Sequence, residues 1–225
     1  MKQLEEAIEL PGVRHVGPDD SVSLTERANI FIEMANVLGK LNRLSEAQKV
    51  IADARALFRD TPSEVQIIVA DSELQIKRND FDSAIHMLSQ VKPESPAYTH
   101  AQMVKANVFL THRHDKRAYT KCYRDLVEFD PSAQSHVHLG EALMRIQAPE
   151  AAVEAFQHAR ELNPEDTGLA AKIGRALVST HDYQRAINYY KDALKSSPKN
   201  VDLLHDLSKL LIKLRKFDEA IKMLG

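Results

Sequence analysis

Apolar residues recur along most of this chain at the spacing of an α-helix, and they do not alternate with polar residues over any useful length. Stretches such as NIFIEMANVLGKL, SHVHLGEALMRI and DLLHDLSKLLIKL place apolar side chains three and four positions apart. Short polar connectors, for example residues 77–80 and 180–182, separate such stretches from the following ones. Pro164 and Pro198 close two later stretches, where a proline would break a helix interior. The pattern predicts helix–turn–helix units without strands.

An alanine followed four residues later by a larger side chain recurs at a nearly constant distance. The alanines are 37, 34, 34, 34 and 34 residues apart: Ala47, Ala84, Ala118, Ala152, Ala186 and Ala220. The two most regular units also match each other, with Leu139, Gly140, Phe156, Ala159 and Pro164 in one and Ile173, Gly174, Tyr190, Ala193 and Pro198 in the next. A period of 34 residues with paired helices is typical of tetratricopeptide repeats. We therefore predict an all-α fold, a right-handed superhelical tetratricopeptide solenoid of antiparallel helix pairs.

The period also predicts the boundaries of the units. About six units are expected, at residues 28–61, 65–98, 99–132, 133–166, 167–200 and 201–225, the last of them incomplete. Residues 1–23 are interpreted as the end of a preceding repeat helix followed by a linker. Neither end shows the polar outer face that terminal repeats need, so we expect a segment of a longer solenoid. Asp71 and Ser72 depart from the pattern, because leucine and glycine are usual there.

The small residues are expected to mark the places where two helices cross closely. Gly140 or Gly174 on a first helix would face Ala152 or Ala186 on the second. A larger side chain at such a crossing, as in Ala186→Leu, would overpack it at a cost of about 1–3 kcal/mol.

Composition and charge narrow the functional classes. With 44% hydrophobic and 28% charged residues the chain is ordered, and its net charge of -2 does not favour nucleic acid or an anionic membrane as the main partner. The single cysteine, Cys122, cannot form an intramolecular disulfide and is interpreted as a small buried apolar residue in a reducing compartment. No apolar run approaches the ~18 residues of a membrane helix, so we expect no membrane insertion.

The sequence contains no recognisable catalytic or phosphate-binding motif. We predict a protein that is not an enzyme, with no cofactor and no small-molecule substrate. His112 with His114, and His136 with His138, suggest a metal only weakly, because residues two apart on a helix do not face each other. The turn that contains Arg113, Lys116 and Arg117 could meet an acidic partner, although we favour a solvated turn.

The first helices of a tetratricopeptide solenoid line its concave surface. By the geometry of that repeat family, the residues that point into the groove are Ile32, Asn36, Met103, Asn107, Val137, Glu141, Ala171, Arg175, His205 and Lys209. This partly apolar lining favours a helix or an extended segment of a large partner. Members of the family that bind chaperone tails hold a terminal carboxylate with lysines, whereas here Met103 and Gly168 stand at two of those places.

Two runs of sequence go beyond the general repeat: AQMVKANVFLTHRHDKRAYTKCYRDLVE and HLGEALMRIQAPEAAVEAFQHARELNPEDTGLAAKIGRALVSTHDYQRAINYYKDALK. Over residues 81–224 the chain resembles the tetratricopeptide repeat protein 21 family. The resemblance implies a solenoid subunit of the intraflagellar transport A complex that supports retrograde ciliary transport and ciliary membrane-protein trafficking. It implies other subunits of that complex as partners, and a location in the cilium or flagellum, basal body and cytoplasm. The alternative is a generic cytosolic adaptor that binds peptide tails of chaperones or other partners.

Overall fold

A computed structural model describes residues 23–164 and 166–224. The chain divides into two compact units, Met1–Cys122 and Tyr123–Gly225. Apart from Ser23, the helix end and linker predicted for residues 1–23 lie outside the described residues, as does Gly225. Within the described residues every regular element is an α-helix, which confirms the all-α prediction.

The first unit contains five helices and the beginning of a sixth. Their bounds are α1 Leu24–Lys40, α2 Leu44–Leu57, α3 Glu64–Lys77, α4 Phe81–Ser89, α5 Tyr98–Thr111 and α6 Lys116–Phe129. Helix α2 packs against α1 and α3, and α4 packs against α3 and α5. The first helices α1, α3 and α5 also contact one another in succession. Each of these second helices thus lies against two first helices, as a stack of helix pairs requires.

The second unit repeats this arrangement. Its helices are α7 Ala133–Arg145, α8 Pro149–Leu162, α9 Thr167–Ser179, α10 Tyr183–Ser196, α11 Val201–Lys213 and α12 Phe217–Leu224. Helix α8 packs against α7 and α9, α10 packs against α9 and α11, and α12 packs against α11. One apolar core runs through the unit, from Val137 on α7 to Ala220 on α12.

Short polar side chains set the beginnings of many helices. Ser23 and Glu26 form a reciprocal capping box on α1, in which the Glu26 backbone N–H donates to Ser23 Oγ at 3.2 Å. Side chains that accept a hydrogen bond from the first turn also cap other helices: Asp80, Ser132, Asp166, Asp182 and Asn200. Pro164 and Pro198 follow the last residues of α8 and α10, where they cannot continue the helix.

Five of the turns between paired helices share one geometry. Each has three residues, and the φ angle of the middle residue lies between 59° and 63° at Asn42, Asn79, Gln147, His181 and Arg215. The next residue donates its backbone N–H to the carbonyl five positions earlier, at 2.9 Å in all five turns. This bond closes the first helix in a Schellman motif, where glycine is the usual left-handed residue. Here no glycine takes that place.

The turn between α5 and α6 is longer by one residue, and this shifts the repeat pattern. In α2, α4, α8, α10 and α12 the predicted repeat alanine is the fourth residue of the helix. In α6 the fourth residue is Tyr119, which is 1% exposed, whereas the predicted Ala118 is only half-buried. The spacing of the alanines alone does not reveal the added turn residue.

The predicted repeat alanines of the other units are deeply buried. Ala47, Ala84, Ala152, Ala159, Ala186 and Ala220 are between 0% and 3% exposed, and Ala193 is half-buried. The two glycines, however, lie against aromatic rings. A Cβ added at Gly140 would lie 2.5 Å from Phe156 Cε1, and one at Gly174 would lie 2.4 Å from Tyr190 Cζ. The partner of each glycine is therefore the ring four residues after the expected alanine, because a ring reaches across the crossing and a methyl group does not.

A buried polar network joins α2 and α3 in the first unit. Asp71, whose side chain is 2% exposed, accepts a hydrogen bond from Arg55 Nη1 at 3.0 Å. Gln75 Nε2 donates to Asp71 Oδ1 at 2.9 Å and to Gln48 Oε1 at 3.0 Å. The buried carboxylate of Asp71 can replace the usual leucine because it is paired with Arg55, a partly exposed cation.

Candidate protein-binding groove

The first helices of the second unit border two adjoining cavities. The α7–α9 cavity, of about 610 Å³, is lined by Glu141, Met144, Phe156, Gly168, Ala171, Lys172, Arg175, Asn200 and Asp202. The α9–α11 cavity, of about 500 Å³, is lined by Arg175, Val178, Ser179, Tyr190, Asp206, Lys209, Leu210 and Lys213. Arg175 belongs to both, so the two cavities form one surface along α9.

Ion pairs connect neighbouring first helices along this surface. Lys172 on α9 pairs with Glu141 on α7, and Arg175 Nε on α9 lies 2.8 Å from Asp206 Oδ2 on α11. Exposed pairs of this kind stabilise a fold by only about 0–1 kcal/mol. Their main consequence is the charge pattern: Glu141 and Lys172 balance each other beside the first cavity, while the second holds more cations than anions.

Tyr190 reaches from α10 to the α9–α11 cavity with its ring against Gly174. The side chain is 1% exposed. Burial raises the pKa of Tyr190 well above its usual value, and the negative charge of Asp206 raises it further. The hydroxyl therefore remains protonated, and it can donate a hydrogen bond at neutral pH.

The first unit has a cavity of its own between α1, α3 and α5. Its volume is about 420 Å³, and its lining includes Ile32, Asn36, Gln66, Glu73 and His100. His100 Nε2 lies 3.4 Å from Glu73 Oε1. Gln66 Oε1 is buried without a hydrogen-bond partner among the described residues.

The predicted groove residues are only partly brought together. Ile32 and Asn36 line the cavity of the first unit, but Met103 and Asn107 are not among its lining residues. In the second unit Glu141, Ala171, Arg175 and Lys209 line the two cavities. Val137 is 8% exposed and belongs to the core, and His205 is exposed outside both linings.

The predicted basic turn is partly occupied within its own unit. Arg113 forms an ion pair with Asp82, and Asp115 Oδ1 accepts hydrogen bonds from the backbone of Arg117 and Ala118 at 2.9 Å each. His112 stacks on Phe81, with ring centroids 4.0 Å apart. These contacts favour a structured turn over a dedicated site for an acidic partner.

Sequence reasoning missed Lys172, Asp206 and Lys213. A signal for two of them was available, because the pairs Glu141–Lys172 and Arg175–Asp206 are both 31 residues apart. A separation of 31 residues is one repeat of 34 residues minus about one helical turn. Residues at this separation therefore lie on neighbouring first helices. Opposite charges at this separation on first helices could therefore have predicted these two ion pairs.

No helix among the described residues has the length and apolarity needed to cross a membrane.

Family models match most of the chain. The one described as "Tetratricopeptide repeat protein 21 ARM repeat" matches residues 1–126, and "Tetratricopeptide repeat protein 21 forth ARM domain" matches residues 169–225. A general tetratricopeptide repeat model matches residues 133–166.

Several curated proteins are similar to the chain over most or all of its length. Tetratricopeptide repeat protein 21B of Mus musculus is 39% identical over 230 residues, which is 100% of this chain and 17% of that protein. The Homo sapiens protein of the same name is 37% identical over 231 residues, 100% of this chain and 18% of that protein. The Caenorhabditis elegans tetratricopeptide repeat protein 21 homolog is 29% identical over 201 residues, 89% and 15% respectively. The chain thus spans less than a fifth of each of these relatives.

Solved structures share the fold. A tetratricopeptide repeat protein from Parabacteroides merdae aligns with a TM-score of 0.57 at 13% identity, over 87% of this chain and 77% of that one. MamA protein aligns with a TM-score of 0.52 at 21% identity, over 71% and 87%. At these identities the likeness supports the tetratricopeptide fold and nothing further.

Proposed function

Because this chain belongs to the tetratricopeptide repeat protein 21 family, we propose that it is a segment of a solenoid subunit of the intraflagellar transport A complex. Its fold and its family are those of a protein-interaction scaffold. In the proposed role the chain supports retrograde ciliary transport and ciliary membrane-protein trafficking. It works without catalysis, in the cilium or flagellum, at the basal body and in the cytoplasm.

The groove of the second unit is the observation that carries the binding role. Its two cavities adjoin at Arg175 and combine apolar side chains, such as Met144 and Phe156, with charged ones. A groove with alternating apolar and charged places suits an extended or helical segment of another protein. Subunits of the same complex are the proposed source of that segment.

Affinity purification from ciliated cells tests this proposal. The tagged protein that contains this chain is isolated as the natural sequence, as Arg175→Glu, and as Lys121→Glu, an exposed charge reversal outside the groove. We expect intraflagellar transport A subunits with the natural protein and with Lys121→Glu. Fewer of them with Arg175→Glu, at unchanged circular dichroism, would locate a partner in the groove. Recovery of chaperones alone would contradict the proposal and support the generic adaptor.

A further inference from the structure

The α9–α11 cavity has a surplus of positive charge. Three cations line it, Arg175, Lys209 and Lys213, against one anion, Asp206. The carboxylate of Asp206 is 19% exposed and bonds to Nε of Arg175 at 2.8 Å. This bond uses one of the five guanidinium donors, so the terminal nitrogens of Arg175 can serve a second carboxylate. Lys213 is held over the Tyr183 ring, with Nζ 5.2 Å from the centroid.

The same cavity contains a tyrosine hydroxyl that forms no hydrogen bond within the described residues. Tyr190 is 1% exposed and lines the cavity, yet no hydrogen bond among the described residues involves its hydroxyl. This hydroxyl is open to the cavity, and it can donate a hydrogen bond to a bound acceptor oxygen. Cations around a free hydroxyl donor form a site for an oxygen anion rather than for an apolar group.

The adjoining α7–α9 cavity has balanced charges, because Glu141 and Asp202 offset Lys172 and Arg175, and part of its wall is apolar. Phe156 and Ala171 are buried there, Met144 is half-buried, and Gly168 presents no side chain. The charges of Lys172 and Glu141 neutralise each other. This cavity can hold an aliphatic or aromatic side chain.

We propose that the groove of the second unit recognises a protein segment in which an aspartate or glutamate stands beside a large apolar residue. The acidic side chain enters the α9–α11 cavity, between Arg175, Lys209 and the Tyr190 hydroxyl, and the apolar side chain enters the α7–α9 cavity. A side-chain carboxylate, unlike a chain end, reaches the hydroxyl while the backbone continues across the groove. This recognition site rests on the proposed scaffold function, because it specifies the chemistry of the segment that the scaffold binds.

Selection of peptides on the natural chain provides the probe. The 225-residue chain is screened against a phage library of random dodecapeptides, and the enriched peptides are synthesised with amidated ends for fluorescence polarisation. We expect an acidic residue next to an apolar one in these peptides. Its change to the amide, Glu→Gln or Asp→Asn, should weaken binding about tenfold, the size of one desolvated charge contact. Lys209→Glu should do the same, and Lys121→Glu should leave the affinity unchanged.

Tyr190→Phe separates recognition from folding. It keeps the ring against Gly174 and removes only the unused hydroxyl, so the melting temperature of the free chain should stay the same or rise. Peptide affinity should nevertheless fall about fivefold, as expected for one lost hydrogen bond to a carboxylate. Unchanged affinity in Tyr190→Phe and Lys209→Glu would overturn the inference, as would peptides that lack acidic residues or bind only with a free carboxyl terminus.

The two proposals can fail separately. If acidic peptides bind as described while intraflagellar transport A subunits do not co-purify, the proposed function fails and the site remains. If those subunits co-purify while the peptide results are negative, the site assignment fails alone.

Discussion

Helix pair α3–α4 in the first unit and pair α7–α8 in the second fill the same crossing with different side chains. In α7–α8, Gly140 leaves room for the buried ring of Phe156. Two repeats earlier, Ser72 stands at the glycine position with 0% exposure, and Leu88 stands at the position of the ring with 2%. Ser72 satisfies its hydroxyl by donating to Val69 O at 2.6 Å. The comparison indicates that the side chains at both crossings fill a similar total volume. In α7–α8 nearly all of it comes from the second helix, whereas in α3–α4 both helices contribute.

The units differ in a second way, one residue earlier. Asp71 in the first unit takes the place of Leu139 in the second, and it is bonded to Arg55 and Gln75. The first unit therefore depends partly on a paired buried charge, whereas the second depends on ring-to-glycine contacts. Four predictions test this contrast, from the largest expected effect to the smallest.

Gly140→Ala should be the most destabilising change, at about 3 kcal/mol in urea unfolding, because its Cβ would overlap the Phe156 ring and the core is closely packed. Adding Phe156→Leu should recover part of this loss, since the pair then approaches the division of volume seen at Ser72 and Leu88. Gly168→Ala is the control, because the atom nearest its added Cβ is Asp166 Oδ1 at 3.1 Å. Equal destabilisation by Gly140→Ala and Gly168→Ala would contradict the close contact.

Arg55→Met should destabilise the first unit by about 2 kcal/mol, because it leaves the Asp71 carboxylate buried without its cation. Asp71→Leu should cost less, since it removes the charge and restores the residue usual in this repeat. In the double variant the two losses should not add, and chemical denaturation of all three proteins measures the coupling. A fully additive double variant would show that the pair does not act as a unit.

Gln147→Gly should stabilise the second unit by about 0.5–1 kcal/mol. Its left-handed conformation strains a residue with a Cβ, although the greater freedom of glycine in the unfolded chain offsets part of the gain. Asn79→Gly, at the same turn position in the first unit, should gain less, because asparagine tolerates this conformation. Melting temperatures of both variants give the comparison, and a larger gain at Asn79 would refute it.

The smallest effect should be a pH dependence confined to the second unit. Burial lowers the pKa of His136, and the neighbouring His158, whose ring centroid is 5.5 Å away, lowers it further. Below the ordinary histidine pKa the unfolded chain binds a proton that the folded chain resists, so stability should fall as the pH drops from 7 towards 5. His136→Gln should flatten this dependence. A profile identical to that of the natural chain would show that another group is responsible.

Much of the fold could be predicted from the pattern of residues alone. Ala47, Ala84, Ala152, Ala186 and Ala220 identify second helices because their spacing reflects helix pairs of constant length. Ala118 was misleading for the same reason, since one added residue before α6 moves Tyr119 into its place. Residue spacing gives the period of the repeat, but it does not show which turn contains an additional residue.

The groove was predicted less completely than the helices. Arg175 and Lys209, both predicted to point into the groove, line one cavity, whereas Val137 lies in the core. The direction of a side chain from a helix depends on the rotation of that helix against its neighbours, and a shift of one position separates groove from core.

The sequence by itself determined the α-helical class and the period, because helical spacing and repeated small residues are local properties of the chain, and its similarity to known sequences showed the family. Only the tertiary structure decided that Gly140 and Gly174 receive aromatic rings, that Asp71 is paired with Arg55, and that an unused Tyr190 hydroxyl lies beside three cations. Each of these depends on the distances between side chains of different helices. Packing sets those distances, and no local pattern encodes them.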